Sequence, residues 1–319
     1  MKFTTILRTM MFAALLVLAV GCASKSEPEA SIYQLEGVAP DVYYVAPTPL
    51  TDGSYCEIAA IVLQGWHGGV QVLDEQLSLQ KALGDVYVVG PMFPRTEMME
   101  RYNIEPDGRA IWNESWNPQD LSKPGTPDDD WRGGGDANGT ELSSFDVIDT
   151  ILARLSDKTL FPNIKRIAVI GFSAGGQFVG RYVAVGKAEV RSDIELRYAA
   201  MAPSTFLTLE PNDTWHYGLK DRPRYSREVS NEQILKNLRS RRCLHGCGLL
   251  DTLSESLDQT SFAMKQGENR YVRFQNFQNT VNQDPEWKAQ VTFYTFETIG
   301  HEAVKAYADP FFVNYIKGE

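Results

Sequence analysis

Short segments that are apolar on both faces recur along the chain and predict buried parallel strands. They comprise residues 57–65, 85–91, 166–172, 195–203, 241–247 and 290–297. Segments with apolar residues at helical spacing lie between and after them, and they predict helices at residues 74–83, 143–157, 174–186, 260–274 and 302–316. Ser143 or Ser144 is placed to cap the second helix. Repeated alternation of strand and helix predicts an α/β fold with a doubly wound, mostly parallel sheet.

The segment between Pro91 and Leu142 has little regular pattern and is rich in Trp, Pro, Gly and Asp. Long connections of this kind are usually functional or disordered, and tryptophan favours burial over disorder. We therefore expect an ordered excursion that shapes the mouth of a pocket, with its tryptophans at Trp112, Trp116 and Trp131. Residues 128–130 are aspartates that could ligate calcium. They lack regular ligand spacing, and we interpret them as a solvated acidic loop.

The N-terminus has the pattern of an export signal. Lys2 and Arg8 precede an apolar run over residues 10–21. This run is too short to cross a bilayer, which takes about 20 apolar residues.

The apolar run ends in the sequence LAVGC, which resembles the lipobox of bacterial lipoproteins. Ala19 stands where that motif usually has leucine. On this interpretation residues 1–21 are removed, Cys22 is lipidated and anchors the protein to a membrane, and residues 22–31 form a polar tether. Ala23 after the cysteine favours the outer membrane of a bacterial envelope. The alternative is an ordinary signal peptide with an incidental cysteine.

Charge and length limit the functions open to the mature chain. Removal of the signal takes away Lys2 and Arg8 and no acidic residue, which leaves 29 Lys and Arg against 41 Asp and Glu, a formal net charge of −12. Such a surface repels nucleic acid, and no basic stripe opposes this. Residues 32–319 are long enough for a single large α/β domain, and no linker or internal repeat divides them.

Cysteine is sparse in this chain. With Cys22 lipidated, Cys56, Cys243 and Cys247 remain, and in an exported protein Cys56 could pair with either of the others. In the predicted strand, Cys243 and Cys247 lie on one face but about 13 Å apart, too far to share a metal ion or a disulfide. We interpret these two as small core residues.

The sequence GFSAG at residues 171–175 matches G-x-S-x-G, a nucleophile elbow that exposes a serine on a strained strand-to-helix turn. Gly171 and Gly175 flank Ser173 where larger side chains would collide. The motif directly follows a predicted strand and precedes a predicted helix. Ser173 therefore lies beyond the carboxyl end of a strand, where doubly wound sheets place their reactive groups.

A serine hydroxyl needs a base to take its proton, and at neutral pH this base is a histidine. Of the four histidines, His245 lies in a predicted strand, His67 precedes the serine, and His216 lies in a loop, where it could contact substrate or be solvated. His301 follows the last predicted strand, in agreement with the chain order Ser, acid, His that accompanies this elbow. We predict that His301 is the base.

The acid that orients the histidine is expected after the strand at residues 241–247. Asp251 lies in the loop that directly follows this strand. Asp258 is the competitor, and its other possible roles are a helix cap or a surface charge. We predict Asp251.

An oxyanion hole needs backbone N–H groups aimed at the developing charge. One is expected from Ala174, which follows the serine. The other is expected from the loop after the first strand, and we predict Trp66 because it lies directly beyond the apolar run. An alternative alignment of the sequence HGG at residues 67–69 makes Gly68 the donor.

The chain resembles serine hydrolases of the α/β-hydrolase superfamily, and within it a group of bacterial and fungal members. The stretches that carry the resemblance are SSFDVIDTILARL, FPNIKRIAVIGFSAGGQFVGRY, MAPSTFL, LLDTLSESLDQTSFAMKQGENRYVRF and IGHEAVKAYADP, with a weaker match from about residue 55. The chain departs from the group at Phe172, where the group often has histidine, and at Gln64, where histidine is usual. The resemblance implies hydrolysis and names no natural substrate.

These residues together predict hydrolysis of carboxylic esters, small or polymeric, through an acyl-enzyme on Ser173. The chemistry needs no metal and no organic cofactor. A lipid-anchored binding protein without turnover and an acyltransferase are the alternatives. The oligomeric state is not defined by the sequence.

Overall fold

The computed structural model describes residues 30–51, 53, 55–66, 71–95, 108–112 and 130–318. The predicted signal, Cys22, His67, Gly68 and Trp116 lie outside the described residues. Within the described ranges, no helix combines the length and apolar character that a membrane crossing needs. In the same part of the chain, no three His, Cys, Asp or Glu side chains are grouped to hold a metal ion.

A sheet of eight strands forms the centre of the described structure. The strands are β1 Ser31–Gln34, β2 Tyr43–Ala46, β3 Ile58–Leu63, β4 Tyr87–Pro91, β5 Arg166–Phe172, β6 Glu195–Met201, β7 Arg242–Gly248 and β8 Val291–Phe296. Their order is β1-β2-β4-β3-β5-β6-β7-β8. Only the pairings of β1 with β2 and of β2 with β4 are antiparallel. The predicted doubly wound, mostly parallel sheet is confirmed. The antiparallel edge was not predicted, and β1 begins at Ser31, which we had assigned to the tether.

Helices cover both faces of the sheet. They are α1 Gln71–Leu83, α2 Ser144–Ser156, α3 Ala174–Val185, α4 Arg224–Arg227, α5 Asn231–Leu238, α6 Ser261–Gln266, α7 Arg270–Val281, α8 Pro285–Lys288, α9 Ala303–Tyr307 and α10 Pro310–Lys317, with a 3-10 helix at Trp131–Gly133. Ser143 caps α2 and forms a capping box with Asp146. One predicted helix is instead divided into α6 and α7 at Gly267, whose φ of 144° favours glycine. The last predicted helix is divided where Asp309 caps a new helix that begins at Pro310.

Alternate side chains of each central strand enter two separate cores. In β5, Ile167 and Val169 pack on one face, while Ala168 and Ile170 pack on the other. The first face is covered by α2, α3, α5 and α7, and the second by α1, α9 and α10. Because both faces are covered, the loops at the carboxyl ends of the parallel strands form the open edge of the sheet.

Trp112 and Trp131, in the segment expected to shape a pocket mouth, are fully buried core residues. Phe93 stacks on Trp131 with ring centroids 5.6 Å apart and meets Trp112 edge-on at 5.0 Å. Asp130 is buried between Arg132 and His216. The solvated acidic loop was therefore wrong for this aspartate, because the neighbouring cation allows its charge to be buried.

The three described cysteines, Cys56, Cys243 and Cys247, are buried and free. Cys243 and Cys247 belong to the hydrophobic core, as predicted. The expected possibility that Cys56 pairs with one of them is wrong. Its Sγ instead contacts the carbonyl oxygen of Gly53 at 3.2 Å.

Candidate active site

Ser173 occupies the sharp turn between β5 and α3. Its φ of 56° and ψ of −115° form a strained conformation for a residue with a side chain. The backbone N–H of Ser173 donates to the carbonyl oxygen of Met201 at 2.9 Å, which ties the turn to β6. The serine is partly exposed at the open edge of the sheet.

The small residues around Ser173 are required by close backbone approach. A Cβ at Gly171 would lie 2.3 Å from the backbone carbonyl of Gly175. A Cβ at Gly175 would lie 2.5 Å from the carbonyl oxygen of Leu63 on β3, and one at Gly176 would lie 2.3 Å from that of Met201. Larger side chains at these positions would push α3 away from the sheet and move the serine.

The structure brings Ser173, His301 and Asp251 together from three loops. Nε2 of His301 lies 2.9 Å from Oγ of Ser173, and Nδ1 lies 2.7 Å from Oδ2 of Asp251. The side chain of His301 is 30% exposed, whereas that of Asp251 is 1% exposed. These three residues are called the serine site below. Its imidazole can take a proton from the hydroxyl on one side while the carboxylate orients it on the other.

The loops that carry Asp251 and His301 are joined to each other. The N–H of Leu250 donates to the carbonyl oxygen of Ile299 at 3.1 Å. A Cβ at Gly248 would lie 2.3 Å from the same oxygen, so glycine permits the approach. The carboxylate and the imidazole are therefore held by contacts between their own backbones.

Arg270, at the start of α7, is a contact of Asp251 that the sequence analysis missed. Its Nη1 lies 3.5 Å from Oδ1 of Asp251, and its Nη2 donates to the carbonyl oxygen of Ser256 at 2.7 Å. Burial lowers the pKa of Arg270, and the charge of Asp251 opposes that shift. The guanidinium compensates part of the charge of a carboxylate that is withdrawn from water.

Asp258, the competing acid, lies in a different environment. It is fully buried, its Oδ2 accepts from the hydroxyl of Tyr217 at 2.6 Å, and its Oδ1 accepts from the N–H of Thr260 at 2.9 Å. It is thus neither a surface charge nor the residue against Nδ1 of His301. The structure places Asp251 there.

The predicted oxyanion donors lie on two elements beside the serine. Ala174 is the first residue of α3, where the backbone N–H has no acceptor within the helix. Trp66 follows β3, and the guanidinium carbons of Arg95 and Arg132 lie 4.9 and 4.8 Å from the centroid of its ring. The N–H of the preceding Gly65 donates to Oε1 of Glu75 at 2.8 Å.

Gln64 and Phe172, the two departures from the resemblance, also have defined contacts. Gln64 exchanges two hydrogen bonds with the backbone of Phe93, at 2.8 and 3.1 Å, and so joins the loops after β3 and β4. The Phe172 ring lies against the His301 ring with centroids 4.8 Å apart. Both side chains support the serine site through packing or loop position.

The other two described histidines lie away from solvent. His245 lies in strand β7, as predicted, where it is buried, and burial lowers its pKa to about 3. His216 is also buried, with Nδ1 3.1 Å from Oδ2 of Asp130. The expectation that His216 contacts substrate or is solvated was wrong, because its loop folds inward onto Asp130.

No family model matches the sequence, and no curated protein matches it. Among solved structures, the protein is similar to LpqC, a poly(3-hydroxybutyrate) depolymerase from Bordetella parapertussis, at 15% identity and a TM-score of 0.63, with 91% of this chain and 90% of that chain covered. It is also similar to poly(aspartic acid) hydrolase-1 from Sphingomonas sp. KT-1, at 19% identity and a TM-score of 0.60, with 88% and 97% covered. At these identities the likeness concerns the fold, which is that of the α/β-hydrolases.

Proposed function

We propose that the protein is a serine hydrolase that cleaves carboxylic esters through an acyl-enzyme intermediate. The observation that carries the proposal is the unbroken chain of hydrogen bonds from Ser173 Oγ through His301 to Asp251, at 2.9 and 2.7 Å. A serine on a strained turn, open to solvent and paired with an oriented imidazole, has the geometry of an activated nucleophile.

In the first half of the reaction, Oγ of Ser173 attacks the acyl carbon while its proton passes to Nε2 of His301. The carbonyl oxygen becomes an oxyanion and accepts hydrogen bonds from the N–H groups of Trp66 and Ala174. The bond to the leaving oxygen then breaks, and His301 returns the proton to the departing alcohol. Water repeats these steps on the acyl-enzyme and releases the acid, and Asp251 stabilises the imidazolium in both halves.

Three considerations bear on the substrate. The leaving group favours an ester over an amide, and the surface of the protein favours an ester with an apolar part. Alkoxides are easier leaving groups than amines. Three exposed aliphatic side chains also lie near the serine site in sequence, Leu250 and Leu253 on the loop of Asp251 and Val304 at the start of α9, and they are 56%, 68% and 63% exposed. These three residues are called the apolar rim. LpqC, which shares the fold, is a depolymerase of a polyester.

The test is hydrolysis of p-nitrophenyl esters of graded acyl length by the soluble domain, with labelling by a fluorophosphonate probe. Rapid labelling that is lost in Ser173→Ala, together with ester turnover, supports the proposal. A non-catalytic binding protein would show neither, and an acyltransferase would form a new ester when an alcohol acceptor is added. Absence of both labelling and turnover would contradict the proposal.

We also propose that the protein is a lipoprotein of the bacterial envelope, anchored through Cys22. The support is the lipobox-like sequence at the end of the apolar run. Palmitate should label the wild type and fail to label Cys22→Ala, and that variant should leave the membrane fraction. Persistent labelling of the variant would contradict the lipid anchor.

A further inference from the structure

Glu75 is a buried carboxyl group that the proposed reaction does not use. It lies in the first half of α1, is 6% exposed, and has a defined partner for each oxygen. Oε1 accepts from the N–H of Gly65 at 2.8 Å, and Oε2 accepts from the hydroxyl of Tyr307 at 3.1 Å. A buried carboxyl group is costly unless its hydrogen bonds are made, and here they reach two other elements.

The two contacts of Glu75 lead to opposite sides of the serine site. Gly65 immediately precedes Trp66, whose backbone N–H is the proposed oxyanion donor. Tyr307 ends α9, the helix that follows His301, and its ring meets Phe172 edge-on with centroids 6.4 Å apart. Phe172 in turn lies against the His301 ring. One side chain therefore joins the oxyanion turn to the packing behind the histidine.

We propose that Glu75 is a positioning residue for the reaction, because it holds the Gly65–Trp66 turn at the distance from His301 that the oxyanion requires. The inference rests on the proposed function. A misplacement of about 1 Å in a catalytic group can cost about 10² in rate. Loss of this tie should therefore appear in kcat, because the oxyanion forms only in the transition state.

The protonation state of Glu75 gives a second, independent signature. Burial raises its pKa to about 8, the hydrogen bonds from Gly65 and Tyr307 oppose this, and Asp74 on the same helix adds to it. The other buried polar side chains of α1, Gln76 and Gln80, carry no charge. Glu75 is thus mostly protonated at pH 7 and ionises as the pH rises through about 8, and its charge beside the turn would then repel the oxyanion.

The experiment compares the wild type with Glu75→Gln, Glu75→Met and a control, Gln80→Met, on one activated ester. Gln cannot ionise, and it can still make both contacts if its oxygen accepts from Gly65 and its amide nitrogen donates to the hydroxyl oxygen of Tyr307. Met keeps the volume and loses both hydrogen bonds. Gln80 is a buried residue of the same helix that bonds to Gly84, Val86 and Val88, and these contacts support β4. Circular dichroism and melting temperature establish that each variant is folded.

At pH 7 we expect Glu75→Met to lower kcat by about 10-fold to 100-fold with KM nearly unchanged. Glu75→Gln should retain kcat within about threefold, and Gln80→Met should lose stability without losing kcat. Between pH 7 and 9.5 the wild type should lose kcat, and Glu75→Gln should not.

Wild-type kcat in folded Glu75→Met, or an equal loss in Gln80→Met, would overturn the inference. If Glu75→Met does not fold, the change of kcat between pH 7 and 9.5 is the test. An equal loss of kcat in Glu75→Gln and in the wild type over this range would overturn the inference. Failure of the proposed function is distinguishable, because a wild type that neither hydrolyses esters nor labels at Ser173 removes the reaction itself and the inference with it.

Discussion

Within the described part of the chain, two histidines are each paired with a buried aspartate, and one of these two pairs reaches a nucleophile. His301 and Asp251 are 2.7 Å apart, and His216 and Asp130 are 3.1 Å apart, with both carboxylates 1% exposed. Nε2 of His301 lies 2.9 Å from Oγ of Ser173, and the side chain of His301 is partly exposed to solvent. His216 is 6% exposed and lies against the ring of Tyr217.

The cations beside the two aspartates differ as well. Arg132 binds Asp130 through two short contacts of 2.9 Å, whereas Arg270 reaches Asp251 at 3.5 Å. Burial alone would raise the pKa of Asp130, but the charge of Arg132 and the contact with His216 lower it well below its usual range. Because Arg132 already neutralises much of the charge of Asp130, this carboxylate can stabilise a charged histidine only weakly. The two pairs have the same residue types, so residue type does not distinguish them. They differ in the exposure of the histidine and in the contact between the aspartate and its neighbouring arginine.

The same substitution in each histidine should separate the two pairs most strongly. His301→Gln should lower kcat by about 10⁶, as should Ser173→Ala, because members of such a triad act as a unit. His216→Gln should keep kcat within about tenfold and lower the melting temperature. Turnover of one activated ester, with circular dichroism as the control for folding, measures both effects. A large loss of kcat in folded His216→Gln would end the distinction.

Substitution of the two aspartates should also separate the pairs, with a smaller difference in kcat than substitution of the histidines. Asp251→Asn should fold and lose about 10⁴ in kcat, because the amide favours the wrong imidazole tautomer. Asp130→Asn should retain kcat but lose about 3 kcal/mol of stability, because Arg132 loses a buried charged partner. Asp258→Asn should change kcat by no more than a few-fold. A large loss of kcat in Asp258→Asn beside a near-normal Asp251→Asn would reverse the assignment of the acid.

The sequence predicted those features of the site that depend on local pattern. Ser173 was selected because its turn excludes larger neighbours, and His301 and Asp251 because each follows a strand of the sheet; the structure brings the three side chains together. Arg270 and Glu75 were not predicted, because nothing near them in sequence marks a buried ionisable side chain. The partners of Glu75 lie 10 and 232 residues away.

The remaining errors have related physical causes. Residues 128–130 look solvated in sequence, and only the folded chain brings Asp130 to His216 from a distant loop. β1 and β2 are four residues each, and β1 is largely exposed, so their pattern is weak. The breaks at Gly267 and Asp309 fall inside segments whose apolar spacing continues on both sides.

The buried pair should also make stability depend on pH. Burial lowers the pKa of His216, and the hydrogen bond that its imidazole donates to Asp130 opposes this without reversing it. The unfolded chain therefore binds a proton at His216 more readily than the folded protein. Stability from this group is complete above about pH 6.5 and is lost as the pH falls below it. The melting temperature should fall less between pH 7.5 and pH 5 in His216→Gln than in the wild type. Equal falls would show that His216 is not held neutral by the fold.

The smallest expected effect concerns the open side of His301, where the apolar rim has no counterpart at His216. Leu250→Ser and Val304→Ser should each lower kcat/KM for long-chain esters by up to about tenfold, since burial of a Leu or Val side chain contributes about 1.5–3 kcal/mol and only part of it is expected here. Acetate esters should be affected little, because they do not reach the rim. Ile32→Ser is the matched control, since Ile32 is 59% exposed on β1 at the far edge of the sheet. The ratio of kcat/KM for octanoate and acetate esters measures the effect free of changes in active-site concentration. The ratio should fall in Leu250→Ser and Val304→Ser and stay constant in Ile32→Ser. If it falls equally in Ile32→Ser, or is unchanged in both rim variants, the apolar rim does not contact the acyl chain.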